Sequence, residues 1–373
     1  MWSRRPSTRR SQQGFTLVEL MIGVLIGLLA TLAVTHVLVN SESQKRTTSS
    51  GSDAQVNGAL ALSTLQRQLQ PAGYGFGAVP PVVGCTLTAT FNGAAITNFP
   101  TSLAPVTITN GASGAPDSIR VLASGKTSFS IPLRIVSPGY TPPGTAVPVA
   151  SVRGIVQGDV VVVANSITAT PSVPCEVFRV TANPGSIPQV ARADDASSWN
   201  AVGKPTATYG EGAGLFNLGV PVDSTYSIQN NALVVRSLNI ASDLAGTPSY
   251  PAATELYPNI VQLQAFYGKD TTVPPDGVLD SWDTVTPTTN AEWLQVAAVR
   301  LALVARSPQF EKDEVTSANI SWDVGSAVAV AGSATCGTSR CVTIKLDTLP
   351  DWKHYRYKLF ETVVPLRNLL WNS

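Results

Sequence analysis

The sequence predicts an α+β protein, with a long N-terminal transmembrane α-helix followed by a large β-rich globular head. Three observations carry that reading. Phe15–Val39 is almost wholly apolar, the residues from about Tyr74 onward fall into short β-prone runs, and the composition is poor in charge and rich in turn formers. Only 13% of the 373 residues are charged, against 29 glycines and 27 prolines, which suits an exported chain of short strands better than a cytosolic helical enzyme. A formal net charge of +1 gives no electrostatic footprint for nucleic acid, so none is expected as a partner.

The N-terminal helix comes first in the chain. Residues 1–14 carry Arg4, Arg5, Arg9 and Arg10 and no acid. As a helix, the run from Phe15 to Val39 is about 37 Å long, enough to cross a bilayer with some tilt. Arginines before it and few charges after it predict a single pass with the head outside the cytoplasm. A cleaved signal peptide would have a shorter apolar core, whereas this one continues past Ala30 and Ala33 to Val39. A twin-arginine signal is suggested by TRRSQQ, but Gln12 and Gln13 stand where such a signal turns apolar. A plain signal anchor leaves Glu19 without a role, although a carboxylate at mid-membrane costs up to ~3 kcal/mol.

The stretch GFTLVELMIG accounts for these features together. It resembles the processing site of type IV prepilins and of the related pseudopilins of type II secretion. There a short basic leader ends in Gly, Phe follows, and Glu stands at the fifth mature position; Gly14, Phe15 and Glu19 match. The resemblance implies a pilin-like fold and a leader peptide over residues 1–14. It also implies cleavage between Gly14 and Phe15 by a prepilin peptidase, N-methylation of Phe15, and a part for Glu19 in subunit assembly. Cleavage would leave an α-amine on Phe15, with an ordinary pKa near ~8 and a positive charge at neutral pH. In a bundle of parallel helices, Glu19 of one subunit can meet that amine on its neighbour, which removes much of the cost of a buried charge. Gly23 and Gly27 form a GxxxG pair and are candidates for helix packing, with Ala30 about one turn on. His36, near the outer end, is expected to be an interfacial side chain.

Residues 40–71 read as an exported continuation of the helix. A polar first half with Gly51 and Gly58 predicts a bend or break there. Val56, Ala59, Leu62, Leu65 and Leu69 recur at helical spacing and are expected to pack on the head. Pro71, Gly73, Gly75 and Gly77 stop the helix. The organisation is therefore a leader (1–14), a transmembrane and assembly helix (15–39), a helical continuation (40–71) and a β-rich periplasmic head (72–373).

Within the head, strands are predicted over 117–123, 128–136, 158–165, 175–182, 231–240, 259–268 and 294–307. The Pro- and Gly-rich stretches 98–116 and 183–222 read as long insertions. NIVQLQAFYGKD (259–270), WLQVAAVRLALVARS (293–307) and YRYKLFETVVPLRN (355–368) resemble the PilW family of minor pilins. That resemblance implies a structural subunit of a priming or tip complex needed for pilus assembly. Its implied partners are other minor pilins and inner-membrane assembly proteins. The implied location is the bacterial inner membrane, with the head in the periplasm and the chain incorporated at the pilus tip. A J-type pseudopilin of type II secretion is the nearest alternative, and a membrane-anchored periplasmic enzyme a remote one.

The chemistry-bearing residues are few. In an oxidising compartment, Cys85, Cys175, Cys336 and Cys341 allow three pairings. CGTSRC can close a small loop through Cys336 and Cys341, leaving Cys85 with Cys175; free thiols are the alternative. Neither pair forms CxxC, so zinc is not expected. Asp276, Asp280 and Asp283, with Asp270 before them, are oxygen ligands suited to calcium, but the EF-hand spacing is missing and a solvated turn explains them without a metal. No cofactor and no catalytic residue is expected. His354 is the only histidine outside the apolar segment, so nothing marks a Ser-His-Asp arrangement or H-E-x-x-H. GEGAG (210–214) reads as a loop rather than a phosphate cradle, and DWKHYRYK (351–358) as strand packing with exposed bases.

Overall fold

A computed structural model describes residues 14–127, 130–165, 174–193, 199–240 and 246–370. The basic leader up to residue 13 lies outside them. The chain divides into two compact units, Met1–Ser52 and Asp53–Ser373. Helix α1 (Leu17–Leu69) contributes its first part to one and its last part to the other.

The first unit is the N-terminal part of α1. Its stretch Leu17–Val39 is long and apolar enough to cross a membrane, and none of it is buried within the chain. Thr31 and Thr35 do not leave their hydroxyls idle. Each donates to a carbonyl on the preceding turn, Leu28 at 2.9 Å and Thr31 at 2.7 Å, which satisfies them where lipid offers no acceptor.

The second unit is the head, in which α1 ends at Leu69 and short strands follow. The first are β1 (Leu87–Thr88), β2 (Thr90–Phe91), β3 (Ala94–Ala95), β4 (Val106–Thr109), β5 (Ser118–Ala123), β6 (Leu133–Arg134) and β7 (Ala146–Pro148). Then come β8 (Val160–Ala164), β9 (Cys175–Arg179), β10 (Gln189–Ala191), β11 (Gly214–Gly219), β12 (Val222–Gln229), β13 (Ala232–Ser237) and β14 (Thr254–Pro258). The last group is β15 (Ile260–Lys269), β16 (Ser281–Asp283), β17 (Val296–Arg306), β18 (Ile320–Gly325), β19 (Ala329–Val330), β20 (Ala334–Cys336), β21 (Ser339–Ile344) and β22 (Tyr357–Pro365). Helix α2 (Asn290–Leu294) precedes β17, and α3 (Arg367–Leu370) follows β22.

These strands build three five-stranded sheets, ordered β14-β13-β12-β5-β4, β19-β16-β15-β17-β22 and β1-β9-β8-β11-β6, and a three-stranded sheet β18-β21-β20. The last part of α1 packs into a core that joins one face of the first two sheets, through Val121, Leu233, Leu263, Leu301 and Val364. The other face of the second sheet meets Trp322 of β18 and Ile344 of β21. The third sheet is buried on both faces. Val160 and Val162 of β8 enter one core and Val161 and Val163 another, which is why VVVV is an unbroken apolar run rather than an alternating one.

Two expectations about α1 need correction. The helix runs through Gly51 and Gly58 without a break. Its buried stripe is Ala54, Gly58, Ala61, Leu65 and Leu69, while Val56 is 53% exposed. The reason is close approach. Gly58 lies against the ring of Phe360 on β22, where a Cβ would stand 2.6 Å from Cδ2 and closer still to Cε2. Small residues are buried because the helix comes too near the sheet for large ones.

The strand expectations meet the fold at β5, β8, β9, β13, β15 and β17. Of the stretch 128–136, Leu133–Arg134 alone is strand, and residues 128 and 129 lie outside the described residues. The supposed insertions 98–116 and 183–222 contain β4, β10 and β11. Of these, β11 is an interior strand that pairs with both β8 and β6. The start of the stretch 294–307 ends a helix: Thr289 and Glu292 form a capping box that opens α2 and buries Trp293.

Buried charge in the head is paired or hydrogen-bonded. Glu176 accepts from Lys204 Nζ at 2.7 Å and from the backbone N–H of Thr206 and Ala207 at 2.9 Å. Burial alone would raise its carboxyl, but the Lys204 ammonium and these donors outweigh burial and hold it below the usual range. Asp223, fully buried, takes Nε of Arg120 at 2.6 Å and the hydroxyl of Tyr250.

Candidate functional site

The N-terminal end of α1 is the part of the molecule with a built-in chemical arrangement. Thr16 is the residue before the helix and Glu19 lies in its first turn. Glu19 Oε2 accepts both the backbone N–H and the hydroxyl of Thr16 at 3.0 Å, and Thr16 Oγ1 accepts the Glu19 N–H at 3.3 Å. This reciprocal pattern is a capping box. The sequence Thr-Leu-Val-Glu carries its signature, and reading Glu19 as an apolar-segment anomaly missed it. The carboxylate also sits where the positive end of the helix macrodipole favours it.

Immediately before the cap, Gly14 has nothing within 4 Å of where a Cβ would lie. Phe15 is 88% exposed. Gly14 and Phe15 thus precede the helix and carry no regular secondary structure. Gly23 and Gly27 likewise have open space at the Cβ position. Their spacing puts them on neighbouring turns of one face, where no described residue comes within 4 Å of either Cβ position.

Elsewhere the structure disperses the sequence candidates. Asp276, Asp280 and Asp283 do not converge on a common point. Asp280 Oδ2 receives the N–H of Thr271 at 2.7 Å and of Thr272 at 3.1 Å, which holds its carboxyl below the usual range. Asp276 receives the N–H of Val278 at 2.9 Å, and Asp283 takes Lys269 Nζ at 2.8 Å. Asp270 accepts the Gly277 N–H at 2.8 Å. Each acid shapes the turn, and no group of three metal-ligating side chains is assembled among the described residues.

Disulfides join Cys85 to Cys175 and Cys336 to Cys341, with Cα–Cα distances of 6.0 and 5.8 Å. The first ties the start of β9 to the segment entering β1, beside the parallel pair Leu87↔Cys175. The second closes the β20–β21 hairpin. In DWKHYRYK the bases meet acids: Lys353 Nζ is 3.2 Å from Glu314 and Arg356 Nε 2.6 Å from Glu311. His354 stacks on Phe310 with ring centroids 4.8 Å apart. GEGAG turns into β11, with Gly212 at φ +90°.

Comparisons with known proteins agree with this picture at both ends of the chain. Residues 9–35 match the prokaryotic N-terminal methylation motif. Residues 225–368, from within β12 to α3, match the family described as Type IV Pilus-assembly protein W. Among solved structures, a type IV-like pilin from Thermus thermophilus aligns over 84% of this chain and 96% of its own, at 10% identity and a TM-score of 0.32. No curated protein matches the chain.

The chain thus combines a prokaryotic N-terminal methylation motif and a membrane-length apolar helix with a β-rich head. The C-terminal part of that head, residues 225–368, is similar to the Type IV Pilus-assembly protein W family.

Proposed function

We propose that this chain is a minor pilin of the complex that primes pilus assembly and sits at the filament tip. The observation that carries the reading is the joint presence of a Gly14–Phe15 processing site with Glu19 and a PilW-like head in one chain. In this reading a prepilin peptidase cuts after Gly14 and methylates the Phe15 amine. The head is exported to the periplasm, and the apolar helix enters a bundle of parallel helices from other minor pilins.

The cap gives Glu19 a role at both stages. Before a neighbour arrives, Thr16 satisfies the carboxylate. In the bundle, the carboxylate exchanges part of that contact for the charged amine of the next subunit, which fixes the stagger between them. Gly23 and Gly27 offer the face along which a second helix approaches closely.

Deletion of the gene tests the proposal. Loss of surface pili and of twitching is expected, and normal piliation overturns it. Intact pili with lost exoprotein secretion would instead assign the chain to a secretion pseudopilus, as a J-type subunit.

A further inference from the structure

The head manages its sheet edges in a consistent way, with one exception. Edge strands β1, β6 and β19 have two residues each, β20 has three, β4 four, β14 five and β18 six. Edge β4 is also covered: the Ile108 N–H reaches Tyr267 Oη at 2.6 Å and its carbonyl takes the Thr286 hydroxyl at 2.9 Å. Short or covered edges leave no template for a further strand. The exception is β22, an edge strand of nine residues.

Its outward groups can be assigned from the register. Ser307 N–H bonds to the Arg356 carbonyl, and Leu366 N–H to the Ala297 carbonyl. With Arg306 opposite Tyr357 and Ala298 opposite Pro365, this phase turns the N–H groups of Lys358, Phe360, Thr362 and Val364 toward β17. Those of Tyr357, Leu359, Glu361 and Val363 point away, with their carbonyls. None of these four N–H groups has a hydrogen-bond partner among the described residues. The side chains do not close the edge either. Phe360 and Val364 face the α1 core, and Tyr357 and Leu359 the Trp322 core. Glu361, the one acid on this strand, is engaged with Trp322 Nε1 at 2.6 Å and Arg300 Nη2 at 3.0 Å. Val363 is 44% exposed.

We propose that the outer edge of β22, from Tyr357 to Val363, takes an extended strand from a different pilin-class subunit and so extends the sheet across the subunit boundary. The edge specifies its occupant: alternating N–H and C=O groups recognise another extended backbone. Pro365, which lacks an N–H, sets the limit of the pairing. The inference rests on the reading of the chain as an assembly subunit, since a solitary head would have no reason to keep this one edge long.

The test uses the full-length chain in its own membrane, with a photo-cross-linking residue at Lys358 and each other pilin-class chain of the same bacterium as probe. A cross-link to one of these chains is expected. Val363→Pro removes an outward N–H that the head itself does not use, and should cut the cross-link about fivefold or more, whereas Val363→Thr, which keeps the N–H, should retain it. Should Val363→Pro fail to fold, residue-resolved hydrogen exchange on the wild-type chain decides. The amides of Leu359, Glu361 and Val363 should gain protection in the assembly, while those of Phe360 and Thr362 are protected in both states. A cross-link only to a second copy of this chain, or unchanged binding by Val363→Pro, overturns the proposal. Unchanged exchange at the three amides, with the chain still recovered in sheared pili, overturns it while leaving the pilus reading standing. A chain absent from the pili as well would remove both.

Discussion

Gly58 of α1 lies directly against the ring of Phe360 on β22, and this contact sets how closely the helix can approach the sheet. The pair makes a prediction in which the sign of an effect reverses. Gly58→Ala gains helix propensity, about 1 kcal/mol, but forces the Phe360 ring out of place, an overpacking cost of roughly 1–3 kcal/mol. The single variant should therefore be less stable or at best neutral in urea titration. In a Phe360→Ala background the ring is gone, and Gly58→Ala should stabilise by about 0.5–1 kcal/mol. Equal effects in the two backgrounds would show that the contact does not limit the approach.

The cap at Thr16 separates two roles for Glu19. Glu19→Ala is expected to leave cleavage after Gly14 intact, because the processing site precedes the helix, but to weaken co-purification of partner pilins about tenfold or more. Thr16→Ala removes the cap alone, a loss of about 1 kcal/mol, and should leave co-purification near the wild-type level. If both variants lose partners equally, the cap rather than a neighbour's amine explains Glu19.

Asp117 makes the head more stable in mild acid than its charge suggests. Its carboxylate accepts the N–H groups of Gly111 and Ala265, both at 2.8 Å, yet burial dominates and pushes its carboxyl up to about 6 from 3.8. Between those values the native chain holds a proton that the unfolded chain has released, so the Asp117 contribution grows as pH falls through about 6 and levels off below about 4. Relative to Asp117→Asn, the wild type should gain on the order of 2 kcal/mol between about pH 7 and about pH 4. Denaturant titrations of both proteins across that range measure it. A constant difference would place the proton elsewhere.

The two disulfides close loops of very different length, 90 residues apart in one case and 5 in the other. On chain entropy alone, removing Cys85–Cys175 should cost about 4–5 kcal/mol and removing Cys336–Cys341 about 2 kcal/mol. Paired Cys→Ser variants, compared by thermal melting, should rank in that order; the reverse order would show that the hairpin bridge carries structure the loop-length account misses.

Much of this was legible in the sequence, and the failures have a common cause. The apolar span, the Gly14–Phe15–Glu19 motif and the strands around β8, β15 and β17 are local signals, written in runs of like residues. Leu65 and Leu69 of the predicted stripe of α1 are buried, but Ala54, Gly58 and Ala61 join them through the nearness of a distant strand, which helical periodicity does not record. The short strand β4 and the interior strand β11 read as parts of insertions in the sequence because their pairing with β5 and β8 is long-range. Asp117 and Glu176 look like ordinary surface acids until the fold brings Ala265 and Lys204 to them. The Thr16 cap is different. Its signature was present, and the question of what a carboxylate costs in lipid hid the nearer question of what it bonds to.

One consequence follows from the unburied apolar surface of Leu17–Val39. The head has its own interior, but this stretch has none, so water is a poor solvent for the chain at every stage of its life. In the proposed assembly, a transfer from bilayer to filament has to pass the helix from one greasy neighbour to the next without an aqueous interval. Subunit exchange would then be governed by what the helix touches next, and its rate should depend on the lipid as much as on the protein.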